Sequence, residues 1–114
     1  MSLWQIVCTY SADEDDCFDI FDEVFSISGM WVSLARYFGI PRSTVSHIAR
    51  EHDCYPKDCL FAVLHEWLRP IKDVERHGHP SWQVLVKAVA HPSGGNNRVL
   101  AEVIAQKYSG IYMY

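Results

Sequence analysis

Residues 31–50 read WVSLARYFGIPRSTVSHIAR, and the fold turns on them. Trp31, Leu34, Ala35 and Phe38 recur every three or four residues, the spacing of one buried helical stripe. Gly39 stops that helix, because a left-handed C-terminal residue costs little only without a Cβ. Pro41 fits the first turn of a following helix, whose first amides have no partner within the helix. Val45, Ile48 and Ala49 form its inner side. The stretch is therefore two helices joined tightly through Gly-Ile-Pro.

The same period extends in both directions. Upstream, Phe18, Phe21, Val24 and Phe25 predict a helix that ends near Ser28 and Gly29. Acidic residues 13–16 suit its start, where negative charge meets free N–H groups. Downstream, residues 52–55 break the pattern and Pro56 opens a helix with Leu60, Val63, Leu64, Trp67 and Leu68 inward, ending at Pro70. Residues 70–80 are the longest loop, with a helical turn around 72–76. Pro80 and Ser81 begin the next helix, with Trp82, Leu85, Val86 and Val89 inward. The cluster PSGGNN at 92–97 is a turn, and Asn96 or Asn97 caps a last helix carrying Leu100, Ala101, Ile104 and Tyr108. Gly110 ends it. LWQIVCTY at 3–10 is β-prone but has no second strand to pair with, so it reads as a lead-in. The expectation is an all-α bundle of six helices with Trp31, Leu34, Ile48, Leu64, Trp67, Trp82, Leu85, Leu100 and Ile104 in its core.

Size and charge narrow the function. At 114 residues, 49% of them hydrophobic, the chain has the length of one domain and enough apolar content to fold. No apolar run approaches the ~20 residues that span a bilayer. The start, MSLWQIVCTYSADEDD, lacks the basic head and apolar stretch of a secretory leader. Cys8, Cys17, Cys54 and Cys59 match no small secreted disulfide framework, so reduced, mostly buried thiols and a cytoplasmic location are expected. Formal charge is −4, unevenly spread. Residues 1–28 hold seven acids and no base, whereas residues 29–114 hold ten bases and seven acids, a balance of +3.

Residues 31–50 also resemble a DNA-reading helix-turn-helix, with Arg42, Ser43, Ser46 and Arg50 placed to reach bases or phosphates. Against it stand the acidic first helix, Glu51 and Asp53 beside the recognition helix, and a basic excess too small for a phosphate-binding face. His47, His52, Cys54 and Cys59 have four, one and four residues between them, which is not the paired spacing of structural zinc. No nucleophile elbow, phosphate loop or HExxH motif orders the cysteines and histidines into a catalytic set. No enzymatic activity, metal or cofactor is expected.

One family accounts for the far helices as well. Trp31-x-x-Leu34-Ala35-x-x-Phe38-Gly39 is followed by Val45-x-x-Ile48, then Cys59-x-x-x-Val63-Leu64 and Glu66-Trp67-Leu68. Ser81-Trp82-x-x-Leu85-x-x-Ala88-Val89 and Asn97-x-x-Leu100-Ala101-x-x-Ile104 complete the series. In this order they resemble a death domain, most like those of invertebrates such as sponges and cnidarians. The likeness covers about residues 14–108, with 1–13 as lead-in and 109–114 as tail. It implies a death-fold, Greek-key arrangement of the six helices packed antiparallel. It also implies homotypic or heterotypic binding to other death-fold domains, self-association included, in apoptotic or innate-immune signalling. Nucleic acid and membrane are not among the implied partners. The exposed charges that would carry such contacts are Arg36, Arg42 and Arg50, with Glu51 and Asp53 after them. Lys57 and Asp58 at the fourth helix start, and Asp73, Glu75 and Arg76 in the long loop, complete the set.

Overall fold

The structure, a computed structural model, describes Ala12 and residues 14–69 and 80–109, with only the backbone of Glu14, Tyr108 and Ser109. The lead-in at 3–10, the helical turn at 72–76, the tail at 110–114, and Cys8, His77 and His79 lie outside the described residues. The chain is mostly α-helical, and no strand occurs among the described residues.

A 3₁₀ turn, Glu14–Asp16, leads into α1, Cys17–Val24. A 3₁₀ segment, Phe25–Met30, continues from it, with Ile27 out of helical geometry at φ −107° and ψ 29°. The helix thus stops being α-helical several residues before the expected end at Ser28 and Gly29. Ser28 is buried, and its hydroxyl donates to the Phe25 carbonyl inside this segment.

The buried face of α1 is turned from the expected one, a rotation that keeps Val24 buried and Phe21 half-buried but leaves Phe18 and Phe25 outside. Cys17, Ile20 and Val24 are buried, while Phe18 is 70% and Phe25 45% exposed. The two stripes share Val24 and are otherwise offset by one residue, a rotation somewhat below the ~100° of one helical residue. The compact set faces the core, and α1 packs on α4 through it. The aromatic set is left along the seam, where Phe21 is half-buried against Phe61.

α2 is Trp31–Tyr37, with Trp31, Leu34 and Ala35 buried. Gly39 follows at φ 80°; its N–H donates to the Arg36 carbonyl (3.0 Å), and Ile40 N–H donates to the Ala35 carbonyl (3.0 Å). These two bonds make a Schellman stop, which the sequence anticipates at this glycine. Pro41 lies just outside α3, Arg42–Glu51, as its extended N-cap residue. Ile48 is the buried residue of α3, with Val45 and Ala49 half-buried.

α4, Pro56–Leu68, is the hub, and α1, α2 and α3 all pack on it. Cys59, Leu60, Val63, Leu64, Trp67 and Leu68 are buried along it. Trp67 stacks on Phe38 with ring centroids 4.2 Å apart and planes inclined by 13°. α5, Trp82–Ala90, starts at Ser81, whose Oγ accepts from Val84 N–H at 3.1 Å.

The turn from α5 to α6, Arg98–Ser109, folds back on the end of α5. Gly95 N–H donates to the Ala88 carbonyl and Asn97 N–H to the Val89 carbonyl, both at 2.9 Å. A Cβ on Gly94 would sit 2.2 Å from the Ala88 oxygen, so only glycine fits there. Asn97 is the cap of α6, its Oδ1 accepting from Leu100 N–H at 2.9 Å. Ala101, Ile104 and Ala105 are buried, and Leu100 is half-buried. Lys107 closes α6 onto α1 through a 2.7 Å ion pair with Glu23. No helix among the described residues is long and apolar enough to cross a membrane.

Candidate interaction surface

Rotation of α1 puts an acidic, aromatic face outside. Asp15, Phe18, Asp22 and Phe25 are all exposed, at spacings of three, four and three. Phe18 and Phe21 lie 5.1 and 5.4 Å from the Phe61 ring of α4, measured between centroids, and Phe21 lies 6.3 Å from Phe25. The Lys57 ammonium stands 5.6 Å from the Phe25 ring, within cation–π range. The result is an aromatic ridge along α1 and α4, bordered by carboxylates.

Sequence periodicity missed this ridge, because aromatic residues at helical spacing ordinarily mark a core. A partial signal is the interleaving within α1: Asp15 and Asp22 fall among Phe18 and Phe25, whereas Asp16 and Glu23 fall at the edge of the Cys17, Ile20 and Val24 stripe.

The end of this ridge borders a cleft of about 460 Å³ between the 3₁₀ segment and the start of α4. Phe25, Ser28 and Gly29 form one wall, and Tyr55, Lys57 and Asp58 the other. Lys57 and Asp58, both expected as surface contacts, are thereby brought beside Phe25. Tyr55 is 64% exposed and extends the aromatic character across the cleft.

The expected charges of α2 and α3 form a different surface. Arg36 is exposed on α2, and Arg42, Arg50 and Glu51 are exposed on α3. Ser43, Ser46 and His47 are exposed with them, so the outer side of α3 is open to solvent. Glu51 reaches two imidazoles, His47 Nε2 at 3.3 Å and His52 Nε2 at 3.6 Å. Asp53 is exposed in the turn after α3. Asp73, Glu75 and Arg76 lie outside the described residues.

That turn has unusual backbone. Asp53 and Cys54 are consecutive non-glycine residues with positive φ, 52° and 60°. They complete a Schellman stop, with Cys54 N–H donating to the Ala49 carbonyl at 2.8 Å. Cys17 and Cys59 are buried and outside any disulfide, whereas Cys54 is exposed, against the expectation of mostly buried thiols. Burial, then the nearby Cys54 and Asp58, push the Cys59 thiol up from its ordinary value. Among the described residues no three His, Cys, Asp or Glu side chains are grouped to hold a metal ion.

Comparison of the chain with models of known families, with curated proteins and with solved structures gives no match. The death-domain likeness therefore stands on the quoted motifs alone.

Proposed function

We propose that the chain is a non-enzymatic protein-interaction module that assembles intracellular signalling complexes by binding similar helical domains, its own copies included. In this reading the helices form a six-helix antiparallel bundle of the death-fold, Greek-key type. The observation that carries it is the division of the surface. An acidic aromatic ridge occupies α1 and α4, and an exposed face bearing Arg36, Arg42 and Arg50 occupies α2 and α3. Two unlike, complementary faces on one chain favour head-to-tail contacts, which repeat without closing on themselves.

The ridge supplies what charges alone do not. Exposed ion pairs contribute about 0–1 kcal/mol each, whereas burying a phenylalanine contributes about 1.5–3 kcal/mol. Phe18 is mostly in water, so a partner covering it gains most of that range. Single contacts of this size are weak, and tethering several copies raises their effective concentration.

The test is a charge exchange in chains fused to a trimerising scaffold. Asp22→Lys and Arg42→Glu should each reduce assembly, and mixing the two variants should restore it. Phe18→Ser should reduce assembly while the chain stays folded, at a cost of about 1–2 kcal/mol in stability. Unchanged assembly in all three would sink the proposal.

Helix-turn-helix binding to DNA remains as a second reading, favoured by one observation: the side of α3 bearing Arg42, Ser43, Ser46 and Arg50 is open to solvent. Titration with mixed duplexes at about 150 mM salt, where weak phosphate contacts are screened, separates the readings. Tight binding that disappears on Arg42→Glu would favour DNA.

A further inference from the structure

We propose that Cys54 and Cys59 are a peroxide-responsive thiol pair, with Cys54 as the residue oxidised first and Cys59 as the one that closes the disulfide. Tyr55 is the N-cap of α4 and Pro56 its first residue, so Cys54 stands one position before the cap and Cys59 four after it. These are the two positions whose side chains a helix N-terminus brings together, ordinarily as an apolar staple. Here both ends of the staple are thiols.

Their environments divide the labour. Cys54 is exposed and meets a water-borne oxidant directly. Cys59 is 0% exposed, and its thiol is held in the protonated, unreactive form by burial. In the first step the Cys54 thiolate attacks hydrogen peroxide. A sulfur–oxygen bond forms, the oxygen–oxygen bond breaks, and the leaving hydroxide takes a proton to become water. In the second step the Cys59 sulfur attacks the Cys54 sulfenic acid. The disulfide forms, and the departing hydroxide carries away the Cys59 proton as a second water. Two thiols are oxidised and one peroxide is reduced.

The second step requires the first turn of α4 to open, so that Cys59 leaves the core and its sulfur meets Cys54. Opening gives up the 4.0 Å sulfur contact to the Ile48 carbonyl and the backbone bond from Cys59 N–H to the Tyr55 carbonyl at 2.9 Å. Directly before it, Asp53 and Cys54 occupy left-handed backbone, which costs about 1–2 kcal/mol per non-glycine residue. Opening that extends back to this turn releases that strain and offsets part of the cost of exposing Cys59. The closed disulfide would displace Tyr55, Lys57 and Asp58, one wall of the cleft beside the aromatic ridge.

The pair is tested on the full 114-residue chain, reduced and then exposed to hydrogen peroxide. Remaining thiols are alkylated after denaturation, and peptides are mapped by mass. The expected product has lost two of its four thiols in a peptide cross-link joining Cys54 to Cys59. Cys54→Ser, at an exposed position, should abolish the loss of the Cys59 thiol. Cys59→Ala should leave Cys54 as a sulfenic acid that dimedone traps, and circular dichroism checks that it is folded. Cross-linking of Cys54 to Cys8, to Cys17 or to a second chain would overturn the assignment. Overoxidation of Cys54 while Cys59 remains alkylatable would overturn it as well. This readout is independent of assembly, so it stands or fails apart from the proposed binding function.

Discussion

Trp67→Ala and Phe18→Ala, measured side by side, test which aromatic residues hold the fold. Trp67 is 2% exposed and stacked on Phe38, so truncation removes nearly all the area a tryptophan buries, about 150–250 Å². At about 25 cal/mol per Å² that area corresponds to several kcal/mol, and tryptophan truncations in cores cost about 3–5 kcal/mol. Phe18 keeps only about a third of its surface out of water, against Phe61. Its burial is worth roughly 1.5 kcal/mol, and alanine returns about 0.5 kcal/mol through helix propensity. The expected losses are therefore about 4 and about 1 kcal/mol, against a total stability on the order of 5–15 kcal/mol. Urea unfolding followed by far-UV circular dichroism measures both without relying on tryptophan emission. A Trp67 loss below about 1 kcal/mol would refute the core assignment. A Phe18 loss equal to that of Trp67 would refute the rotation of α1 and restore the aromatic stripe as its inner face.

Three further substitutions probe the turns. Gly94→Ala should destabilise by about 1–3 kcal/mol or more, because its methyl meets a backbone carbonyl at 2.2 Å; a neutral thermal melt would contradict the tight return onto α5. Asn97→Ala should cost about 1 kcal/mol by removing the cap of α6, and hydrogen exchange should rise in the first turn of that helix before elsewhere. Asp53→Gly should stabilise by roughly 1 kcal/mol through relief of left-handed strain; a fall in the urea midpoint would show that the aspartate side chain is needed there.

Much of the fold can be read from residues whose chemistry leaves little choice. Gly39 supplies the left-handed stop, Pro56 opens α4, and Asn97 caps α6 through its side chain. The stripes of α2, α4 and α5 contain a tryptophan with apolar neighbours at three and four residues, so each has one face to bury. α1 was ambiguous because it carries two apolar stripes of comparable strength that share Val24 and are otherwise offset by one residue. Local periodicity does not decide between them; packing on α4 does, and that packing is a long-range property. The turn after α3 was opaque for another reason. Aspartate visits left-handed backbone more readily than most residues, but cysteine does not, and neither announces two consecutive left-handed positions at 53–54. The candidate surface inherits both gaps. Its charges could be named from sequence, but the aromatic groups between them could not.

The outer face of α1 and the segment just after the 53–54 turn meet at the cleft, where Phe25 faces Tyr55 and Lys57. A protein selected only for stability would turn Phe18 and Phe25 inward or replace them. Here the inner positions are filled by Cys17, Ile20 and Val24, and the phenylalanines remain along the seam with α4. Carboxylates on the same helical face keep that ridge soluble and disfavour its pairing with an identical ridge, since like charges would meet. They leave it compatible with a basic face. The chain presents such a face through Arg36, Arg42 and Arg50. In the proposed reading, exposed aromatic area supplies contact energy and charge restricts which surface collects it. This division of roles is why the charge-exchange pair and the Phe18 substitution should fail in different ways. Reversed charges misdirect contacts that a matching partner can restore, while loss of Phe18 weakens contact with every partner alike.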